Sequence, residues 1–174
     1  MKAVVCEAFG GPEVLALREV PDPAPPGPGE IQVRITARGV QYVDVLMIAG
    51  KYQFKPEPPF IPGGEGAGEV VAVGAGVADF KPGDRVMSRH RLGAFAELGN
   101  CRADECDPVP SGMSLEEAAV FRAAYPTAYH ALIQRGRLQP GETVMIHGAA
   151  STWCKMPRQI LLSMRSKTWS RPLT

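Results

Sequence analysis

The residues with the widest chemical reach in this sequence are four cysteines, Cys6, Cys101, Cys106 and Cys154, and three histidines, His90, His130 and His147. Thiolates and imidazoles are the ordinary ligands of zinc, and a structural zinc loop supplies its cysteines at close, regular spacing. No CxxC pair occurs here, and Cys101 with Cys106 is a lone pair at the wrong spacing. The histidines are scattered, so each reads as a structural or surface residue, the cysteines read as free thiols, and no metal is expected. The other chemically suggestive stretch is the glycine cluster GGEGAGEVV, residues 63–71. Glycines cradle a dinucleotide's pyrophosphate only where they follow a strand and open a helix, whose N-terminus then meets the phosphates. This cluster follows prolines and opens a strand, which is the pattern of a tightly packed barrel corner.

The elements that must position such residues are short. MKAVVCEA and EVLALREV read as early strands, and the proline-rich PDPAPPGPGE after them as an exposed connection. IQVRITARGV alternates Ile31, Val33 and Ile35 with Gln32, Arg34 and Thr36, the period of a half-buried strand with its apolar face inward. YVDVLMIAG suits a short helix stopped by Gly50. EVVAVGAGV, DFKPGDRVMS and GAFAELGNC supply further strands, the middle one entered through the turn Lys81-Pro82-Gly83-Asp84. Many short strands with Gly/Pro corners predict a small β-barrel. Ser114 is a natural N-cap for SLEEAAVFRAAYPTAYHALIQRGRL, with Glu116 and Glu117 in the first turn, and Pro126 predicts a break into two helices. QPGETVMIHGAA then gives a turn at Pro140-Gly141 and a compact apolar strand from Thr143 to Ile146, of the kind buried in a parallel sheet.

Composition narrows the classes. The chain has 174 residues, 45% hydrophobic and 21% charged, with no apolar run long enough for a membrane helix. Glu7 interrupts the N-terminal apolar stretch before a secretory signal can develop, so a cytoplasmic location is expected. A net charge of +1 argues against generic nucleic-acid binding. That total conceals an asymmetry: residues 151–174 carry five basic groups and no acid, leaving 14 basic and 18 acidic groups in residues 1–150. Both tryptophans, Trp153 and Trp169, fall in this tail, and none of the 19 glycines does. Two readings stay open for it. One is a basic surface helix, RQILLSMRSK; the other is a stretch from a shifted reading frame or an alternative exon.

The segments KAVVCEAFGGPEVL, PGEIQVRITARGVQYVDVLMIAGKY, PFIPGGEGAGEVVAVGAGV, FKPGDRV, GAFAE, YPTAYHAL and LQPGETVMIHGAA occur in the order and spacing of a known family. Over residues 1–150 the chain resembles the zinc-free quinone oxidoreductases of the medium-chain dehydrogenase/reductase superfamily. The resemblance implies a mainly β fold with some α: a GroES-like β-barrel catalytic domain over residues 1–124, followed over 125–150 by only the first helix and strand of a Rossmann domain. Residues 151–174 form an aberrant tail outside it. Zinc-using relatives hold their metal through a cysteine in the GVxxxD segment and a histidine in a G-H-E segment. Here Gln41 and Tyr42 precede Asp44, and Gly64 precedes Glu65, so the imidazole is gone.

The activity so implied is hydride transfer from NADPH to a quinone or enone, with Tyr52, Gln41 and Asp44 on the barrel side of the pocket. Tyr52 offers an apolar ring and a phenolic donor for a carbonyl. Gln41 stands where the family usually has asparagine, and Asp44 reads more as a holder of local backbone than as a base. Thr127, Gly148 and Ala149 match cofactor-binding positions. After Ala149 the family continues with glycines and a helix, whereas this chain continues STWCKMPRQ, so the phosphate cradle is expected to be broken and the chain alone inactive. Its partners would be a small quinone or enone, with no nucleic acid or membrane, and copies could associate through uncovered apolar surface. The alternative is a residual GroES-like domain that serves as a binding module without catalysis.

Overall fold

The computed structural model describes residues 1–144, and the chain divides into two units, Met1–Arg122 and a second one beginning at Ala123. The first unit opens with a hairpin of β1 (Lys2–Cys6) and β2 (Leu15–Glu19), antiparallel from Lys2 opposite Glu19 to Cys6 opposite Leu15. Five more strands form the main sheet: β3 (Glu30–Gly39), β4 (Glu65–Val73), β5 (Arg85–Arg89), β6 (Leu98–Arg102) and β7 (Cys106–Pro108). Their order is β6-β3-β4-β5-β7, all antiparallel. The two edge strands, β6 and β7, are consecutive in the chain and joined by a single 3-10 turn, Ala103–Glu105. The sheet therefore curls until its edges meet, and the hairpin adds to its flank through bridges from Ala3 to Ala96 and Cys6 to Phe60.

The alternation in β3 does what its period predicts. Ile31, Val33 and Ile35 point into a core completed by Val70, Val86, Ala94, Cys101 and Cys106, while Arg34 and Thr36 stay exposed. β3 and β4 approach so closely that a Cβ on Gly68 would fall on the carbonyl oxygen of Arg34. Register shifts at Gln32/Val33 and Ile35/Ala37 bend the pair, as bulges do where a sheet must curl. The glycine cluster at 63–68 thus runs into β4, beginning at Glu65, four residues earlier than the strand expected from EVVAVGAGV.

Three short helices complete the described chain. α1 (Tyr42–Ile48) follows β3 almost directly and stops at Gly50, whose φ of 65° lets the N–H groups of Gly50 and Lys51 close on the carbonyls of Met47 and Leu46. Met47 and Ile48 seat it on a second cluster with Cys6 and Phe60. α2 (Leu115–Ala119) is started by a reciprocal cap: the Glu117 N–H donates to Ser114 Oγ at 3.1 Å and the Ser114 N–H to Glu117 Oε2 at 3.0 Å. Its Ala118 and Ala119 press on Ala67 of β4 and Met87 of β5.

One expectation needs correction, and one strand had gone unmarked. The helical break falls at Val120, where ψ is 2° and the N–H turns back to Glu117, and not at Pro126. α3 (Phe121–Tyr129) carries Pro126 inside it with the ring exposed. A proline removes only one backbone bond there, and the chain goes on into a wider π-type turn, His130–Arg135. β7 had no signal of its own, because a three-residue strand containing Pro108 shows no periodicity. The strand expected from Thr143 runs beyond the described residues, as do His147, Gly148, Ala149, Cys154 and the tail.

The packing makes a direct prediction. Ile31 is wholly buried, so Ile31→Ala should lower unfolding free energy by about 2–5 kcal/mol in urea titration. Leu17→Ala, at a side chain 66% exposed, should change it by less than about 0.5 kcal/mol.

Candidate functional site

The site is built where β3 ends. Gly39 closes the strand in a position with no room for a side chain: a Cβ there would lie 2.6 Å from the Ala119 carbonyl oxygen and 2.7 Å from Glu65 Oε1. Gln41 then turns the chain into α1 with extended backbone, φ −119° and ψ 160°, and its N–H donates to Asp44 Oδ2 at 2.8 Å. Asp44 is only 2% exposed, and Oδ1 has no hydrogen-bond partner among the described residues. Burial pushes its pKa up, while the N–H groups of Gln41 and Gly63 draw it back. One carboxylate oxygen, Oδ2, is turned onto the backbone of Gln41.

Gln41 is also held by its side chain. Nε2 donates a short hydrogen bond to Oε1 of Glu65, a carboxylate 4% exposed at the first position of β4. Glu65 was not among the residues expected from sequence, although an acid at the opening of an otherwise apolar strand was a visible signal. The structure thus links Gln41, Asp44 and Glu65 through hydrogen bonds across β3, α1 and β4. Next to Gln41 the surface is open and apolar: Val40 is 73% exposed and Tyr42 76%. Neither was marked beforehand, because exposure of an apolar side chain has no sequence signature.

Tyr52 lies beyond the other end of α1. It is half-buried, its ring packed into the cluster of Cys6, Met47, Ile48 and Phe60. Thr127 belongs to the second unit, where its hydroxyl donates to the Ala123 carbonyl at 2.7 Å, one turn back along its own helix. Gly148 and Ala149 lie outside the described residues. Where the chain has Gly64, only the backbone takes part, its carbonyl accepting from the His90 N–H at 2.9 Å.

His90 and Ser88 are also buried and polar, 5% and 1% exposed, with His90 Nε2 2.9 Å from Ser88 Oγ. Burial lowers the pKa of His90 to about 4, against a smaller opposing effect from a hydrogen bond to the Asn100 backbone. It is neutral at physiological pH and serves structure. His130 is exposed, with Nδ1 2.6 Å from Gln134 Oε1. Among the described residues, no three His, Cys, Asp or Glu groups come together as metal ligands.

A small antiparallel sheet curled to meet its own edge, with a helix following β3 beside a buried acid, defines a GroES-like barrel. Residues 27–134 match the alcohol dehydrogenase GroES-like domain. The chain is 40% identical over 151 residues to the human synaptic vesicle membrane protein VAT-1 homolog, covering 86% of this chain and 38% of that one. It is 41% identical over 150 residues to a quinone oxidoreductase of Pseudomonas aeruginosa, covering 86% and 46%. Its fold matches the structure of Escherichia coli quinone oxidoreductase complexed with NADPH at a TM-score of 0.71 and 36% identity, covering 78% of this chain and 41% of that one. The chain therefore belongs to the alcohol dehydrogenase GroES-like domain family, within the quinone-oxidoreductase-like part of the medium-chain dehydrogenase/reductase superfamily. It spans about two-fifths of the length of the relatives it matches. Among the described residues no helix is long and apolar enough to cross a membrane.

The buried imidazole gives a pH prediction. An unfolded histidine takes its proton near 6.5 and folded His90 only near about 4, so the unfolded state binds more protons in between. Stability present above 6.5 should fall as pH drops through that interval. NMR of the His90 ring should show a midpoint near about 4; a midpoint near 6.5 would place the ring in water.

Proposed function

We propose that this chain is the acceptor-binding barrel of a zinc-independent reductase, of the type that passes hydride from NADPH to a quinone or an enone. The observation that carries the reading is the seating of Gln41. One amide hydrogen of Nε2 is fixed on buried Glu65, so the second has a defined direction and can donate to a carbonyl oxygen beside the apolar Val40 and Tyr42. A donor aimed at a quinone oxygen stabilises the negative charge that develops there as hydride arrives. Asp44 acts as a positioning residue, holding the Gln41 backbone. Tyr52 is the second candidate donor, and its half-buried ring suits a planar ligand. The identity to a quinone oxidoreductase supports the acceptor class.

Zinc independence rests on the donor set. Gln41 and Gly64 supply neither thiolate nor imidazole, and no ligand triad forms among the described residues. NADPH is the reductant suggested by the complex of the Escherichia coli relative. The described residues do not fit its pyrophosphate, because the glycines at 63–68 lead into strand β4 rather than into a helix, and Thr127 turns its hydroxyl onto its own helix. No step through the cofactor is therefore assigned to residues 1–144.

The acceptor half of the reading can be tested without reductant. Amide NMR titration with duroquinone, a fully substituted quinone that spares thiols, should shift resonances at residues 40–44. Gln41→Ala should weaken binding about tenfold, or ~1.4 kcal/mol. Shifts confined to other faces, or unchanged affinity in Gln41→Ala, would favour a barrel that serves only as a binding module.

A further inference from the structure

The two cysteines that sequence reading set aside as a lone pair meet where the barrel closes. Cys101 is on β6 and Cys106 opens β7, strands at opposite edges of the five-stranded sheet, yet their sulfurs are 3.3 Å apart. Each is fixed by the ladder on its own side, Cys101 opposite Ile31 of β3 and Cys106 opposite Ser88 of β5. Both sit in the apolar core, 6% and 7% exposed, but the 3-10 turn that joins them runs through exposed Asp104 and follows exposed Arg102. Cys6 makes the contrast: it is also buried, and its thiol donates to the Ala8 carbonyl at 3.1 Å with no second thiol beside it among the described residues.

We propose that Cys101 and Cys106 form a dithiol modification site, oxidised by a small hydroperoxide to an intrachain disulfide that staples the barrel seam. The 3.3 Å contact must shorten to about 2.05 Å, a movement of about 0.6 Å for each sulfur.

The two thiols are not equivalent. Cys101 can donate its S–H to Cys106, and the Arg122 guanidinium stands near by, donating from Nε to Asp107 Oδ2 at 2.6 Å and from Nη1 to the Glu105 carbonyl. The hydrogen bond from Cys101, with the Arg122 charge adding to it, lowers the pKa of Cys106, whereas the same bond and burial raise that of Cys101. Arg122 bonds the residues on either side of Cys106, Glu105 and Asp107, so its cation favours a thiolate there; Cys106 takes the nucleophile's part and Cys101 the resolving part. The Cys106 thiolate attacks the terminal oxygen of the hydroperoxide, the O–O bond breaks, and Cys106 becomes a sulfenic acid while the alkoxide takes a proton and leaves as the alcohol. Cys101 sulfur then attacks the sulfenic sulfur, the S–O bond breaks, and the hydroxyl departs with the Cys101 proton as water. Two electrons from the two thiols reduce one peroxide.

The test treats the whole chain with hydrogen peroxide, blocks remaining thiols under denaturing conditions and maps tryptic peptides. Cleavage at Arg91, Arg102 and Arg122 puts the two cysteines in separate peptides, 92–102 and 103–122. The expected result is these two peptides joined, a mass loss of about 2 Da, and two of the four thiols lost, recovered with dithiothreitol. In Cys101→Ser the sulfenic acid on Cys106 should persist and be trapped by dimedone, which wild type should not show. If that variant does not fold, the wild-type map decides alone. Unlinked peptides, a sulfinic acid on Cys106 without the link, or a link to Cys6 or Cys154 would overturn the proposal.

Discussion

Two carboxylates are removed from water at one corner of this barrel, and the surrounding structure gives each of them a donor. Asp44 and Glu65 are 2% and 4% exposed. A buried carboxylate without partners costs several kcal/mol, so each must find donors. Gln41 supplies both, its backbone N–H to Asp44 and its side-chain Nε2 to Glu65. One residue therefore ties the end of β3, the start of α1 and the start of β4. Gly39 is bare because Glu65 occupies the space its side chain would take.

This corner explains why the scaffold can present a polar group at its surface without losing definition. The β3–β4 ladder is pinned by the close approach at Gly68, and the core side chains Ile31, Val33 and Ile35 fix the register. The strand therefore arrives at Gln41 in one place. Beyond it the backbone turns sharply into α1, leaving Val40 and Tyr42 facing outward beside an amide that cannot swing freely. Groups set at the ends of rigid elements keep their geometry better than groups on loops, and here the rigid element is a strand.

Much of the scaffold was legible in the sequence because its signals are local. The alternation of β3, the glycine stop at Gly50, the capping pair Ser114 and Glu117, and the turn Lys81–Asp84 each follow from a few neighbouring residues. Gln41 and Asp44 were named as candidates through the place of their segment in the family resemblance, and the structure brings the two side by side. Glu65 was not, because its partner Gln41 is 24 residues away and only the β3–β4 pairing brings them together. The same holds for the seam: nothing in the spacing of Cys101 and Cys106 says that their strands lie at opposite edges of one curled sheet. Pro126 misled for the opposite reason, since a local rule about proline was outweighed by a chain that closed its helix earlier, at Val120.

The claim on which the account turns is that Gln41 is held by Glu65. A double-mutant cycle on the stability of the whole chain, with Gln41→Ala, Glu65→Ala and the pair, isolates that interaction from every other contact of either residue. A hydrogen bond to a buried carboxylate predicts a coupling of about 1.5–3 kcal/mol. Effects that add to within about 0.3 kcal/mol would show that the two side chains act independently, and the fixed direction of the Gln41 amide would be lost with them.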